Sequence, residues 1–103
     1  MKILIMGLPG SGKTTLAAAL NNKLKWIWFN ADTMRKAFND WDFSEEGRIR
    51  QALRMKNYAD EWGNSICDFV APTEEIRKIF NADYVIWMNT IEQSRYEDTN
   101  QLF

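Results

Sequence analysis

The sequence predicts an α/β fold in which a parallel sheet of about four strands lies between two layers of helices, an α/β/α arrangement. Short apolar runs without polar alternation are typical of strands buried on both faces of a sheet. Each run precedes a segment whose apolar residues recur at helical spacing. A glycine-rich segment joins the first run to the first helix. This alternation of strands and helices indicates a parallel sheet with crossover helices.

In the first half of the chain, residues 3–6 form the first predicted strand, and residues 13–24 form the first helix. Leu24 is among the residues expected on the buried face of that helix. Residues 26–29 are the second strand. Asp32 is expected to cap a short helix that carries Met34 and Phe38 inward.

In the second half, Ser44 is the predicted cap of a long helix that ends near Trp62, with Leu53 on its buried side. Residues 65–70 form the third strand. A helix starts at residues 72–73 and a fourth strand covers residues 84–88. Another helix is expected from Ile91.

Composition excludes several classes of protein. The chain has 103 residues, a formal charge of −1, no histidine and one cysteine. The length predicts one domain, 1–103. The absence of histidine excludes serine triads and most zinc enzymes. A single cysteine fits a reducing, cytoplasmic compartment, and no apolar run approaches the roughly 20 residues of a membrane span. The near-neutral charge gives no indication of a nucleic-acid or membrane partner.

Residues 7–14, G-L-P-G-S-G-K-T, match the phosphate-binding loop pattern G-x-x-x-x-G-K-S/T. The glycines let successive backbone N–H groups point at one phosphate. Lys13 is expected to reach the β- and γ-phosphates, and the Thr14 hydroxyl to bind Mg²⁺. The loop therefore predicts binding of ATP or GTP with magnesium, and the lack of an N-K-x-D sequence argues against a guanine-specific GTPase. The residues expected to hold the nucleotide are Gly7, Pro9, Gly10, Ser11, Gly12, Lys13, Thr14 and Thr15.

Asp32 and Arg35 are candidates for the acceptor side of a phosphoryl transfer. Asp32 follows the second strand, and ligands of open α/β sheets collect at the carboxyl ends of strands. It would accept a proton from an acceptor hydroxyl or hold a metal-bound water; the alternative is a plain helix cap. Arg35 would hold an anionic group of the acceptor, or be a solvated charge.

Several segments together resemble adenylylsulfate kinase, the family that phosphorylates the 3′-hydroxyl of adenosine 5′-phosphosulfate with MgATP. Residues 7–15 are similar to the family's G-L-S-G-S-G-K-S-T, and residues 30–35 (N-A-D-T-M-R) to its D-G-D-N-V-R. Residues 43–49 (F-S-E-E-G-R-I) resemble F-S-E-E-D-R-I, the most diagnostic stretch. Residues 69–72 (F-V-A-P) resemble F-I-S-P.

The resemblance implies a P-loop kinase with a defined acceptor site. Asp32 would lie near the acceptor hydroxyl and the metal, and Arg35 and Arg48 would bind the phosphosulfate. Phe43 would stack on the adenine; its alternative is a hydrophobic staple, and that of Arg48 is a pair with Glu45. The substrate-binding residues implied are Asp32, Arg35, Phe43, Arg48, Gln51, Phe69, Val70, Ala71 and Pro72.

The chain departs from the family pattern in places. Ala71 replaces a serine, Gln51 replaces an asparagine, and Thr73 and Glu74 replace a tyrosine and an arginine. The family's lysine-rich lid, fifth strand and last helix have no counterpart after Phe103. A homodimer is one way of covering the edge that such a missing strand would leave.

Two other functions remain open at this point. A polynucleotide 5′-kinase also has a phosphate loop followed by a strand-end aspartate and an arginine. A nucleotide-binding module with little or no catalysis is the other.

Four tryptophans, at positions 26, 28, 62 and 87, are predicted to fill the core, and Cys67 to be an inert buried thiol. Asp68 has two open interpretations, a second carboxylate near Mg²⁺ or the polar end of a strand.

Overall fold

A computed structural model of the chain describes residues 1–88. Its elements in chain order are β1 (Lys2–Met6), α1 (Lys13–Leu24), β2 (Ile27–Asn30), α2 (Ala31–Phe38), α3 (Glu45–Trp62), β3 (Ser65–Asp68), α4 (Glu74–Phe80) and β4 (Tyr84–Trp87). The helix predicted from Ile91 lies outside the described residues.

The four strands form one parallel sheet in the order β2-β3-β1-β4. In the register of this sheet, Ile5 of β1 pairs with Asp68 of β3, and Asp68 in turn pairs with Asn30 of β2. Because the strands are parallel, their carboxyl ends share one edge, and the phosphate loop leaves β1 there. The predicted fold class is confirmed.

The sheet has an apolar cluster on each face. Leu4 and Met6 of β1 pack with helices α2, α3 and α4, whereas Ile3 and Ile5 pack with Ala17 of α1. Consecutive side chains of a strand point to opposite faces, so an uninterrupted apolar run serves both clusters. This explains why β1 lacks polar alternation.

Helix α3 begins as predicted, and helix α2 does not. The Ser44 hydroxyl accepts a hydrogen bond from the backbone N–H of Gly47, as an N-cap does. In α2 the cap is Asn30, whose side chain accepts from Thr33 N–H, so the prediction of Asp32 as the cap was wrong. The second strand continues to Asn30, which leaves Asp32 in the first helical turn.

Several predictions of inward-facing side chains were also wrong. Phe38 ends the short helix α2 and is 47% exposed, and Leu53 is 44% exposed because the buried stripe of α3 runs through Ala52 and Met55. Trp62 lies at the end of α3, and Trp87 lies on β4, an outer strand of the described sheet; both are exposed. Of the other residues predicted for the core, Leu24 is exposed, and Trp26 and Trp28 are only partly buried.

Within residues 1–88, no helix combines the length and the apolar content that a membrane crossing requires.

Candidate functional site

The phosphate loop connects β1 to α1 in a conformation that depends on its glycines. Gly10 has a φ of 83° and Gly12 a φ of 97°, both in the left-handed region that favours glycine. At Gly7 a Cβ atom would lie 2.7 Å from the carbonyl oxygen of Met88. The backbone of the loop is therefore free of side chains at the positions where phosphate oxygens would approach it.

Lys13, the first residue of α1, folds back over this loop. Its Nζ donates to the carbonyl oxygen of Leu8 at 3.0 Å. Burial lowers the pKa of Lys13, and the carboxylates of Asp68 and Asp32 act in the opposite direction by favouring the ammonium form. Lys13 is thus a partly desolvated cation near two carboxylates, which suits it to bind an anion.

Asn30 links the phosphate loop to the neighbouring strand and helix. Its Nδ2 donates to Asp68 Oδ1 at 2.8 Å and lies 3.4 Å from the hydroxyl of Thr14. Its Oδ1 accepts from the backbone N–H and the hydroxyl of Thr33. No role of Asn30 was predicted from the sequence; its signal is an amide at a strand end, directly before a helix.

Asp68 is 2% exposed at the carboxyl end of β3. Besides the bond from Asn30, it accepts a hydrogen bond from the indole Nε1 of Trp28. Burial raises the pKa of Asp68, while these two donors and Lys13 oppose the rise. The interpretation as the polar end of a strand is confirmed, and the role as a carboxylate near Mg²⁺ stays a prediction.

Asp32 is exposed in the first turn of α2. It lies one helical turn before Arg35 in α2, and its charge acts on Lys13 as well as on Arg35. Among the predicted site residues, Lys13, Asp32 and Arg35 are therefore close enough to interact electrostatically.

Arg35 is a buried side chain rather than a solvated one, with 4% exposure. Its NH1 donates to the carbonyl oxygens of Asp40 and Asp42, and its guanidinium carbon lies 4.3 Å from the ring centroid of Phe43. Burial lowers the pKa of Arg35, and the charge of Arg48 adds to this effect. Phe43 is 53% exposed, so it is not buried as a hydrophobic staple would be.

The remaining predicted substrate residues are largely engaged by the protein itself. Both ends of the Gln51 amide have partners, since its Nε2 donates to the carbonyl of Ala31 and its Oε1 accepts from Arg54. Phe69 packs edge-on against Phe80 in the core. Ala71 and Pro72 are buried, and Val70 is partly exposed. The roles of these residues toward a substrate stay predictions.

Ala71 has a φ of 46°, and its carbonyl oxygen accepts a hydrogen bond from Arg77.

Cys67 is fully buried in β3, and burial raises its thiol pKa to about 12, as expected of an inert thiol.

The donor set at this edge fits a hydrated magnesium ion. Mg²⁺ prefers oxygen ligands and usually keeps several waters, so it needs few protein groups. The Thr14 hydroxyl and the buried carboxylate of Asp68 are both held by Asn30. Within residues 1–88, no group of three or more histidine, cysteine, aspartate or glutamate side chains forms a metal cage, so nucleotide phosphates would supply the other ligands.

Comparison with known proteins gives matches along nearly the whole chain. A family model described as an AAA domain matches residues 3–95. Cytidine diphosphoramidate kinase of Campylobacter jejuni is 37% identical over an alignment of 62 residues that covers 55% of this chain and 36% of that protein. A probable gluconokinase of Rattus norvegicus is 44% identical over 48 residues, which are 47% of this chain and 22% of that protein.

Among solved structures, the APS kinase of Mycobacterium tuberculosis superposes with a TM-score of 0.72 at 20% identity. The match covers 92% of this chain and 80% of that one. This likeness shows the fold. The chain spans little more than a third of the first curated relative and less of the second.

Proposed function

This chain belongs to the AAA domain family matched over residues 3–95, and we propose that it is an ATP-dependent phosphotransferase acting on the hydroxyl of a small anionic acceptor. One observation carries the proposal: the cation Lys13 lies near two carboxylates, one on each side of the expected reaction. Asp68 is on the side of Thr14, and Asp32 is on the side of Arg35.

The residues divide the work of phosphoryl transfer. The backbone N–H groups of the phosphate loop, to which Pro9 contributes none, and the Lys13 ammonium bind the phosphates of ATP and stabilise the charge that develops on them. Thr14 and Asp68 would hold the magnesium ion, which would neutralise part of the negative charge of the phosphates. Asp32 orients the acceptor hydroxyl and accepts its proton. The acceptor oxygen then forms a bond to the γ-phosphorus while the bond to the bridging oxygen of ADP breaks.

For the acceptor, we infer the 3′-hydroxyl of adenosine 5′-phosphosulfate, with 3′-phosphoadenosine 5′-phosphosulfate as the product. Support comes from the stretch 43–49 and from the placement of Arg35 beneath the exposed ring of Phe43. An aromatic face suits a purine, and a guanidinium suits a phosphosulfate. In this proposal a single kinase domain acts in sulfate assimilation in the cytoplasm, with a homodimer as its expected assembly.

A second acceptor is favoured by sequence similarity. The relative that is 37% identical acts, by its name, on cytidine diphosphoramidate. That compound is also a nucleoside with two linked acidic groups, so the same pairing of aromatic ring and arginine suits it. The two candidate acceptors therefore differ in their base and in their terminal acidic group.

An ADP-release assay with a panel of acceptors tests the proposal. The panel contains adenosine 5′-phosphosulfate, cytidine diphosphoramidate, gluconate and a 5′-hydroxyl oligonucleotide. We expect the first to stimulate release most, and Lys13→Ala to lower the stimulated rate by about 100-fold or more, as loss of a charge-stabilising donor does. The matched control is Lys23→Ala, which removes an exposed lysine from the last turn of the same helix.

Each outcome has a distinct meaning. Strongest stimulation by cytidine diphosphoramidate would replace the first acceptor by the second. Stimulation by the oligonucleotide alone would support a polynucleotide 5′-kinase. ATP binding without stimulation by any acceptor would leave a nucleotide-binding module and refute the proposed transfer.

A further inference from the structure

Asp40 lies in the loop between α2 and α3, where its carboxylate meets two arginines of α3. Its Oδ2 accepts from Arg50 Nε at 2.8 Å and from Arg54 NH2 at 2.9 Å. Its Oδ1 accepts from Arg50 NH2 at 3.1 Å and from the backbone N–H of Asp42. These bonds hold the pKa of Asp40 well below its usual range. The carboxylate is therefore ionised throughout the range in which a kinase would work.

The same loop is joined to Arg35 in both directions. The backbone N–H of Asp40 donates to the carbonyl of Arg35 at 3.0 Å. In return, Arg35 NH1 donates to the carbonyl of Asp40 at 2.9 Å and lies 4.0 Å from its Oδ1. Asp40 thus fixes the loop at α3 on one side and at α2 on the other.

Phe43 ends this loop, so its position depends on the same contacts. Asp42 continues the loop, with its carboxylate accepting from the backbone N–H of Ser44 and from Arg50. The ring of Phe43 then lies over the Arg35 guanidinium at 4.3 Å. A planar guanidinium held against a ring has few remaining orientations, which lowers the entropy cost of binding an anion.

Hydrogen bonds also connect Asp40 to the backbone beside Asp32. Arg54 donates through NH2 to Asp40 and through NH1 to Gln51 Oε1 at 2.7 Å. Gln51 Nε2 then donates to the carbonyl of Ala31, the residue before Asp32. One carboxylate therefore contributes to the placement of the proposed base as well as of the proposed acceptor-binding pair.

We propose that Asp40 is a positioning residue for acceptor binding: it aligns Arg35 and Phe43 through the loop 39–43 without touching the acceptor itself. The inference rests on the proposed function. The cluster around this loop also has a net positive charge, because three arginines face two carboxylates. The arginines are Arg35, Arg50 and Arg54, and the carboxylates are those of Asp40 and Asp42. This net charge favours binding of an anionic acceptor.

The test compares Asp40→Asn with the unmodified chain by steady-state kinetics, with adenosine 5′-phosphosulfate and ATP varied separately. We expect the KM for the acceptor to rise about tenfold, the loss expected for a misaligned charge-assisted contact. The KM for ATP should change less than about twofold, because the hydrogen bonds of Asp40 within residues 1–88 go to α2, to α3 and to its own loop. A purely structural role would lower the amount of active protein and leave both KM values unchanged.

Two further variants keep the result interpretable. Asp60→Asn is the matched control, because Asp60 also accepts from two cations, Lys2 and Lys56, away from the loop. It should leave both KM values unchanged. Arg50→Lys keeps the charge but loses the two-pronged bond to Asp40, and should raise the acceptor KM in the same direction if Asp40→Asn fails to fold.

Unchanged acceptor KM values in Asp40→Asn and Arg50→Lys, or equal increases for acceptor and ATP, would overturn the inference while leaving the proposed function intact. Absence of transfer by the unmodified chain would refute the proposed function and this inference with it.

Discussion

Replacing Asn30 by alanine should weaken both the fold and the reaction, because this side chain joins three elements of the site. Asn30→Ala removes the cap bond to Thr33 N–H at 3.0 Å and the bond to Asp68 Oδ1 at 2.8 Å. It also removes the amide that lies 3.4 Å from the Thr14 hydroxyl. Asn30→Ala therefore affects the phosphate loop, β3 and α2 at once.

The magnitude follows from the two strong contacts. Loss of an N-cap side chain costs about 1 kcal/mol of stability. Loss of a hydrogen bond to a buried carboxylate costs about 1.5–3 kcal/mol, because the buried Asp68 loses a donor. We therefore expect the free energy of unfolding to fall by about 3 kcal/mol, compared with the typical stability of a domain of about 5–15 kcal/mol.

Urea unfolding at pH 7, followed by tryptophan fluorescence, measures this loss. Acceptor-dependent ADP release, measured on the same preparation, should fall about 10- to 100-fold, as loss of a group that orients a metal ligand does. Asn57→Ala is the matched control, because it deletes an exposed amide from α3 and should change stability by less than about 0.5 kcal/mol. Equal stabilities of the two variants would refute the assigned role of Asn30.

Asn30→Asp distinguishes the contribution of the helix cap from that of the hydrogen bond to Asp68. An aspartate keeps the acceptor for Thr33 N–H but places a second carboxylate against Asp68. Like charges raise the pKa of such a pair above the unfolded value, so stability is retained at low pH and is lost as the pH rises through the raised pKa. The deficit relative to the unmodified chain should therefore grow from pH 4 to pH 7, and a deficit that shrinks over this range would contradict the arrangement.

The remaining predictions concern the loop, the thiol and a surface ion pair. Gly7→Ala should lower stability by about 1–3 kcal/mol, because its Cβ would lie 2.7 Å from the Met88 carbonyl oxygen; urea unfolding checks this. Cys67, with a thiol pKa raised to about 12 by burial, should resist maleimide labelling at pH 8 until the chain is unfolded, and rapid labelling of the folded chain would contradict its burial. Hydrogen bonds from two lysines hold the pKa of Asp60 below its usual value, so their stabilisation exists above about pH 4 and is lost as the pH falls. Asp60→Asn should accordingly have a lower free energy of unfolding than the unmodified chain at pH 7, by less than about 1 kcal/mol, and this difference should shrink as the pH falls below about 4.

Local signals were sufficient for most of the fold. The phosphate loop and the cap Ser44 depend on a few neighbouring residues, so the sequence pattern places them correctly. The cap of α2 was predicted wrongly because Asn30 and Asp32 are both suitable caps two positions apart. The choice is made by strand pairing, since Asn30 pairs with Asp68 across the sheet.

The candidate site was less predictable because its contacts depend on how the chain folds back on itself. The sequence suggests a solvent-facing or ligand-binding charge for Arg35, but its burial depends on the loop after α2, whose backbone carbonyls accept its hydrogen bonds. Trp28 donates its indole N–H to Asp68, forty residues away, and that contact is invisible in local spacing. Trp87 shows the converse, because hydrophobic character alone does not reveal that a strand lies at the edge of the described sheet.

Transfer of the γ-phosphoryl group from labelled ATP tests the central claim most directly. The chain is incubated with [γ-³²P]ATP, Mg²⁺ and adenosine 5′-phosphosulfate, and the products are separated by chromatography. We predict that the label appears on the 3′-oxygen of the acceptor and that Lys13→Ala abolishes its appearance. Label that remains in ATP, or that is released only as inorganic phosphate, would contradict the account.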